Sequence, residues 1–382
     1  MTRVPSNDAG ASVRRLAVPA SRRVLMCVGP GGVGKTTVAA ALGLAAAESG
    51  KRVIVVTIDP SRRLAQALGL SAEQGQRPGS VVRVSAEGGV ELDCLLLDTQ
   101  RVFDDIVREY SRDDATGLRM LDNPIYRATV RHLGGALEYA ATARVHMLHN
   151  SGAYDLIILD TPPTANAIEF LEAPARIGEI MTNPAAKFLA GSGRMGMKFF
   201  GLAGNVMLKA FESLGGGPFI GDLGRFLGDF GGVISEFQRR AGDVADLLSS
   251  SDAGVVLTTS ATEFSVREAK EFLEVLRGRG LRIDGVVLNR VDPTLPEAPA
   301  REEIARAVAA QVDAAQVDQA TDRVLEVYAG ALVQSRRAQQ AERELERHVP
   351  DVPVCTLQRM DPPPTTLEEL RAMGRSLWPE RS

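Results

Sequence analysis

Cysteine is scarce: three residues in 382, at Cys27, Cys94 and Cys355, with no C-x-x-C pair. That spacing argues against a zinc ribbon or finger and against a disulfide-stapled scaffold. Cys27 and Cys94 fall in apolar, strand-like runs, the setting of small buried hydrophobes. Lysine is scarce too, and a net charge of -4 gives no positive excess, so no nucleic-acid partner is expected. No run of about 18 apolar residues occurs, so no membrane span is expected. Residues Met1 to Arg23 lack the apolar centre of a signal peptide and read as a flexible polar tail. The expected setting is the reducing cytoplasm. What is present is ordinary globular composition, 45% hydrophobic and 24% charged. The length suits two or three domains, or one large α/β domain with an insertion.

Apolar runs at Val24 to Val28, Arg52 to Ile58, Val81 to Val84, Leu92 to Leu97, Tyr154 to Leu159, Gly254 to Thr258, Ile283 to Leu288 and Val352 to Leu357 read as strands. Helical patterns separate most of them, beginning with Lys35 to Ser49, which Gly50 closes. Strands alternating with helices predict a doubly wound, mainly parallel sheet. Two stretches interrupt the rhythm: 101–150, with a turn near Asp122-Asn-Pro124, and 172–248. Both read as a helical subdomain inserted at the edge of the sheet. Residues 301–347 form a further helical stretch.

Gly29-Pro-Gly-Gly-Val-Gly34-Lys35-Thr36 fits the phosphate-loop pattern G-x-x-x-x-G-K-[ST], between a buried strand and a helix start. Gly29, Gly31, Gly32, Val33 and Gly34 let several backbone N–H groups point at one anion. Lys35 adds a full charge for the β- and γ-phosphates, and the helix start at Thr36 and Thr37 adds positive potential. The Thr36 hydroxyl is suited to Mg2+, with ATP as the nucleotide. Asp59 and Asp160 end two apolar runs, and ligands of such sheets bind outside the carboxyl ends of the strands. Asp160 is a Walker-B-like carboxylate for Mg2+, and Asp59 is a candidate to orient the attacking water, with Lys35 as its catalytic companion.

The order Gly-Gly-Val-Gly34-Lys-Thr-Thr37, Thr57-Ile-Asp59-Pro60, Leu159-Asp-Thr-Pro-Pro-Thr164 and Val286-Val-Leu-Asn289-Arg290 resembles the arsenite-pump ATPase and tail-anchored-protein-targeting ATPase family. These are P-loop NTPases with a deviant Walker A loop. The resemblance runs through most of residues 24–376, which it implies are one ATPase domain. It implies that Asp59 lies in switch I, that 160–166 form switch II, and that Asn289 reads adenine beneath a loop at Met360, Asp361 and Pro362. It also implies a dimer, with the same chain or a homologous subunit. The chain departs from the family in four places. The signature lysine, which in relatives crosses the dimer interface to the partner's nucleotide, is Pro30 here, with neither charge nor N–H. Asn166 stands where many relatives carry a switch II histidine. The cysteine pair that binds zinc at some dimer interfaces is absent. No cysteine lies where a metalloid thiolate cluster would form.

Residues 188–237 hold eight of the twelve phenylalanines, and 181–207 hold four of the ten methionines. Adaptable Met-rich apolar helices suit varied hydrophobic segments. In the targeting branch of the family a comparable insertion holds a client transmembrane helix. The expected activity is ATP hydrolysis driving capture and release of hydrophobic or tail-anchored clients. The alternatives are the energising subunit of an anion or metalloid pump and a low-turnover nucleotide-sensing scaffold.

Overall fold

All eight strand-like runs become strands of one sheet. They are β1 (Val24–Val28), β2 (Val53–Thr57), β3 (Val81–Ala86), β4 (Val90–Leu96), β5 (Leu156–Asp160), β6 (Ala253–Ser260), β7 (Ile283–Val291) and β8 (Val354–Gln358). The computed structural model describes residues 14–58, 64, 68, 78–132, 135–162, 229 and 233–379. The switch residues Thr164 and Asn166 and most of the Phe- and Met-rich stretch lie outside the described residues.

The strand order is β3-β4-β2-β5-β1-β6-β7-β8. Every pairing is parallel except β3 with β4. The chain leaves β1 for β2 on one side and returns with β6 on the other. The carboxyl end of β1 is therefore the switch point of the sheet, where such folds hold their ligands. The β3–β4 hairpin departs from the expected strand–helix alternation. Its turn is Glu87-Gly88-Gly89, with both glycines at positive φ, 80° and 75°, the backbone a tight hairpin needs.

The described α-helices are α1 (Lys35–Glu48), α2 (Thr99–Tyr110), α3 (Asp114–Asp122), α4 (Pro124–His132), α5 (Ala136–Ser151), α6 (Ile234–Ser249), α7 (Glu263–Gly278), α8 (Arg301–Ala309), α9 (Val317–His348) and α10 (Leu367–Leu377). Asn123 alone separates α3 from α4, at the expected turn. Successive strand residues point to opposite faces, so the sheet carries two apolar cores. Leu25, Val55, Ile158 and Val287 pack on α1 and α10. Met26, Ile54, Leu159 and Leu288 pack on α2, α5, α6 and α7.

The second layer corrects the expected edge location of the helical insertion for its described part. Phe103 of α2, Tyr139 of α5 and Phe237 of α6 meet with ring centroids 5.5–5.7 Å apart. All three belong to the same core as the sheet residues. These helices thus cover a face of the sheet.

A second correction concerns the expected tail. Residues 14–23 dock on the domain. Leu16 and Val18 are buried, and Leu16 N–H donates to Leu377 O at 2.9 Å. Arg22 forms a bidentate ion pair with Asp284, both deeply buried, with Nε to Oδ2 at 2.7 Å. Burial raises the Asp284 carboxyl above its ordinary range, and Arg22 opposes the shift. Gly254 lies against this pair, where a Cβ would stand 2.0 Å from Asp284 Oδ2.

Candidate nucleotide site

The phosphate loop lies between the buried strand β1 and helix α1, as the motif requires. Gly29 is buried at φ 149°, and a Cβ there would stand 1.9 Å from the carbonyl oxygen of Thr258 on β6. Only a residue without a side chain lets the loop leave the sheet so close to its neighbour strand. Gly34 takes left-handed backbone (φ 95°) and is the N-cap of α1, with no side-chain cap and no acidic residue in the first turn. The leading N–H groups of α1 are therefore not satisfied by a capping side chain, the arrangement that receives anions. Gly31 and Gly32 are exposed, Val33 is buried, and Thr36 and Thr37 are half-buried.

Lys35 is buried, and its Nζ donates to Gly29 O and Pro30 O, each at 2.9 Å. The ammonium is folded onto the loop that would hold the phosphates. Asp160, the last residue of β5, is 1% exposed. It lies in register with Thr57 on one side and Cys27 on the other. Thr57 Oγ1 donates to Asp160 Oδ2 at 2.9 Å. The Cys27 thiol feels both charges of the site: burial and then Asp160 push its pKa up, and Lys35 pulls the other way. A sulfur at the end of β1 thus registers the ammonium and the carboxylate together.

The far wall comes from β7. Asn289 is buried, and its Nδ2 donates to Val33 O at 2.8 Å. Its Oδ1 accepts from Arg290 N–H at 2.9 Å. Gly34 leaves room for this latch, since a Cβ would sit 2.4 Å from Asn289 Nδ2. The segment at Met360, Asp361 and Pro362 is tied to the same strand end. Arg359 N–H donates to Val291 O at 2.8 Å, and its guanidinium pairs with Asp292 at 3.2 Å. Met360 itself is partly exposed. The structure therefore joins Lys35, Asn289 and the loop glycines directly, sets Asp160 on the neighbouring strand, and fastens 360–362 close by. Asp59 lies outside the described residues.

Three contributors were not singled out from sequence. Thr57 orients Asp160, and its signal was its place at the end of the β2 run. Thr258 supplies the carbonyl against Gly29, which only the β1–β6 pairing reveals. Arg290 is the single described non-glycine residue at positive φ, a backbone property that its identity does not announce.

The three thiols are free and buried. Cys27 lies three strand spacings from Cys94 and three from Cys355 in the sheet order, about 14 Å each at the usual interstrand distance. Burial is the leading cause raising all three thiols, Cys355 to about 12. Neutral, separated thiols cannot clasp a soft metalloid between them. Among the described residues no group of three or more His, Cys, Asp or Glu side chains is arranged to hold a metal. No described helix is long and apolar enough to cross a membrane.

The profile of the anion-transporting ATPase family matches residues 22–217, half of the chain. A protein of Aquifex aeolicus provisionally named arsenical pump-driving ATPase 1 is 23% identical over 71% of this chain and 64% of its own length. ATPase get3 of Aspergillus terreus is 25% identical over 69% of this chain and 71% of its own. Protein Rv2184c of Mycobacterium tuberculosis is 32% identical over 42% of this chain and 39% of its own. The chain thus spans under two thirds of the Aquifex and Mycobacterium proteins. The matched stretch includes the phosphate loop, Thr57 and Asp160, and the fold around it is the parallel sheet that such loops require. The chain belongs to the anion-transporting ATPase family, which includes the arsenite-pump and tail-anchored-targeting ATPases.

Proposed function

We propose that the chain is an ATP-hydrolysing switch whose nucleotide state governs the capture and release of hydrophobic protein segments. The observation that carries the nucleotide reading is the convergence of three features on one rim of the sheet. These are the buried Lys35 ammonium on its own loop, the α1 start without a side-chain cap and the Asp160 carboxylate held by Thr57. Phosphoryl transfer needs positioning and charge neutralisation more than covalent chemistry by the protein. Lys35 would exchange two loop carbonyls for phosphate oxygens, and the loop N–H groups would orient the β- and γ-phosphates. Asp59 would hold the attacking water.

Mg2+ fits the donors present. Thr36 and Asp160 offer hard oxygens, and Mg2+ in such sites takes one or two protein oxygens plus phosphates and water. The Thr57 bond fixes one Asp160 oxygen in place. When bound, the ion neutralises charge on the β- and γ-phosphate oxygens. A second subunit, either another copy or a homologue, would complete the working dimer.

Client capture rests on the Phe- and Met-rich composition of 188–237 and on the resemblance to the targeting branch of the family. Changing Met195, Phe199, Phe200 and Met207 to Ser should abolish binding of a hydrophobic helical peptide and leave ATP turnover intact. Retained peptide binding in that variant contradicts client capture. The pump reading is favoured by the family description and by the Aquifex relative's name. It requires activation of turnover by an anion or metalloid. The separation of the three thiols argues against arsenite in that role. A nucleotide sensor would bind ATP with negligible turnover, unaltered by Asp59→Asn.

A further inference from the structure

The loop carries no cation at its second position, because Pro30 stands there. A different cation lies beside it. Arg290, at the end of β7, points its guanidinium at the loop, with Nη1 on Gly32 O at 3.2 Å. The side chain is exposed, and among the described residues no carboxylate pairs with it. Among the described residues that contact uses one of its five N–H donors. A guanidinium at the mouth of an anion-binding loop, with no acidic partner among the described residues, is placed to meet phosphate oxygens.

The backbone at Arg290 strengthens the point. Its φ of 57° is left-handed, a backbone in which a Cβ crowds the following carbonyl oxygen. Glycine or asparagine would adopt that turn more readily. The conformation is held from both sides: Arg290 N–H donates to Asn289 Oδ1, and Asn289 Nδ2 donates to Val33 O. Residues 289 and 290 thereby clip two successive carbonyls of the loop, those of Val33 and Gly32. Strain of this kind persists where the surroundings fix it, and it clusters at ligand sites.

We propose that Arg290 is a nucleotide-site residue that supplies, from within the same chain, positive charge to the phosphates held by the loop. It offsets the charge missing at Pro30. The assignment rests on the nucleotide reading above and adds to it the source of the cation. The guanidinium rests on Gly32 O. With nucleotide bound it turns its remaining donors to a phosphate oxygen while the Asn289 latch keeps the loop shape.

The test is calorimetric titration of the full chain with MgATP, for wild type, Arg290→Gln and Arg290→Lys, with thermal melting as the folding control. The expected result is a loss of about tenfold or more in affinity for the Gln variant, the size of one charge-assisted contact. The Lys variant should recover most of that loss, and both variants should melt as wild type. Unchanged affinity in the Gln variant overturns the proposal. So does an equal loss in the Lys variant, which would mark a geometric clip with no role for charge. A wild-type chain that binds no MgATP overturns the nucleotide reading and this proposal together. Mixing Arg290→Gln with Lys35→Ala chains checks the same-chain assignment. Turnover of the mixture should not exceed the sum of its parts, and restored turnover would place Arg290 in a partner's site.

Discussion

Thr57 Oγ1 donates to Asp160 Oδ2 at 2.9 Å, joining the last residues of two neighbouring parallel strands. The bond places a carboxylate that is almost wholly buried at the carboxyl rim of the sheet, one strand from the phosphate loop. A hydroxyl with little freedom of its own thereby sets the direction of the group expected to serve Mg2+.

Thr57→Val keeps the shape and removes the donor. Hydrogen bonds to charged groups contribute about 1.5–3 kcal/mol, so urea unfolding should show destabilisation in that range. The Mg2+ concentration for half-maximal turnover should rise. A variant with wild-type stability and Mg2+ dependence would show that Thr57 does not position Asp160.

Three glycines of the loop should respond in a fixed order to alanine. Gly29→Ala places a Cβ 1.9 Å from a strand carbonyl, which only backbone movement relieves. It should abolish nucleotide binding and lower the melting temperature most. Gly34→Ala drives a Cβ to 2.4 Å from Asn289 Nδ2, breaking the latch on Val33, and should weaken nucleotide binding with a smaller loss of stability. Gly32→Ala meets nothing within 4 Å and pays only for its positive φ, about 1–2 kcal/mol. Equal effects at all three positions would contradict the contacts described.

Helix α10 is clamped to α1 by Glu48, which pairs with Arg371 at 2.8 Å and Arg375 at 2.6 Å. The hydrogen bonds and charge of Arg375 and Arg371 hold the Glu48 carboxyl down at about 2. Because the folded value lies below the unfolded one, the clamp stabilises fully above about pH 4.5 and is lost as pH falls toward 2. Glu48→Gln should lower stability at pH 7 by about 1 kcal/mol, the scale of a partly exposed pair. The difference from wild type should vanish near pH 2. A pH-independent difference would contradict the ion-pair origin.

The Arg22–Asp284 pair makes residues 14–23 part of the fold. Removing one partner of a buried pair costs roughly 3–5 kcal/mol, so Arg22→Met should unfold at distinctly lower urea. Adding Asp284→Asn should recover part of the loss, because the stranded charge is gone. If the single variant matches wild type, the pair holds nothing.

The strands were legible because each central one is a short apolar run buried on both faces, as in Val-Ile-Val-Val of β2. The loop and Asp160 stood out because phosphate chemistry calls for those residue types where apolar strands end, whereas Asn289 stood out only through the family resemblance. The β3–β4 hairpin escaped the alternation rule because β3 is a largely exposed edge strand, and its clearest signal was Gly88-Gly89. The docking of Leu16 was hidden because its place is made by Gly285, where a Cβ would stand 2.2 Å from the leucine. No local pattern connects residues so far apart in the chain. The place of Arg290 is not written in the sequence, since its left-handed turn and its reach to Gly32 exist only once β7 lies beside the loop.

The most direct check on the whole account is the affinity of Lys35→Ala for MgATP, set against wild type by calorimetric titration with melting curves in parallel. Loss of binding in a variant that melts normally is the predicted result, because the buried ammonium is a full charge of the anion site. Wild-type affinity in that variant would contradict the nucleotide site itself.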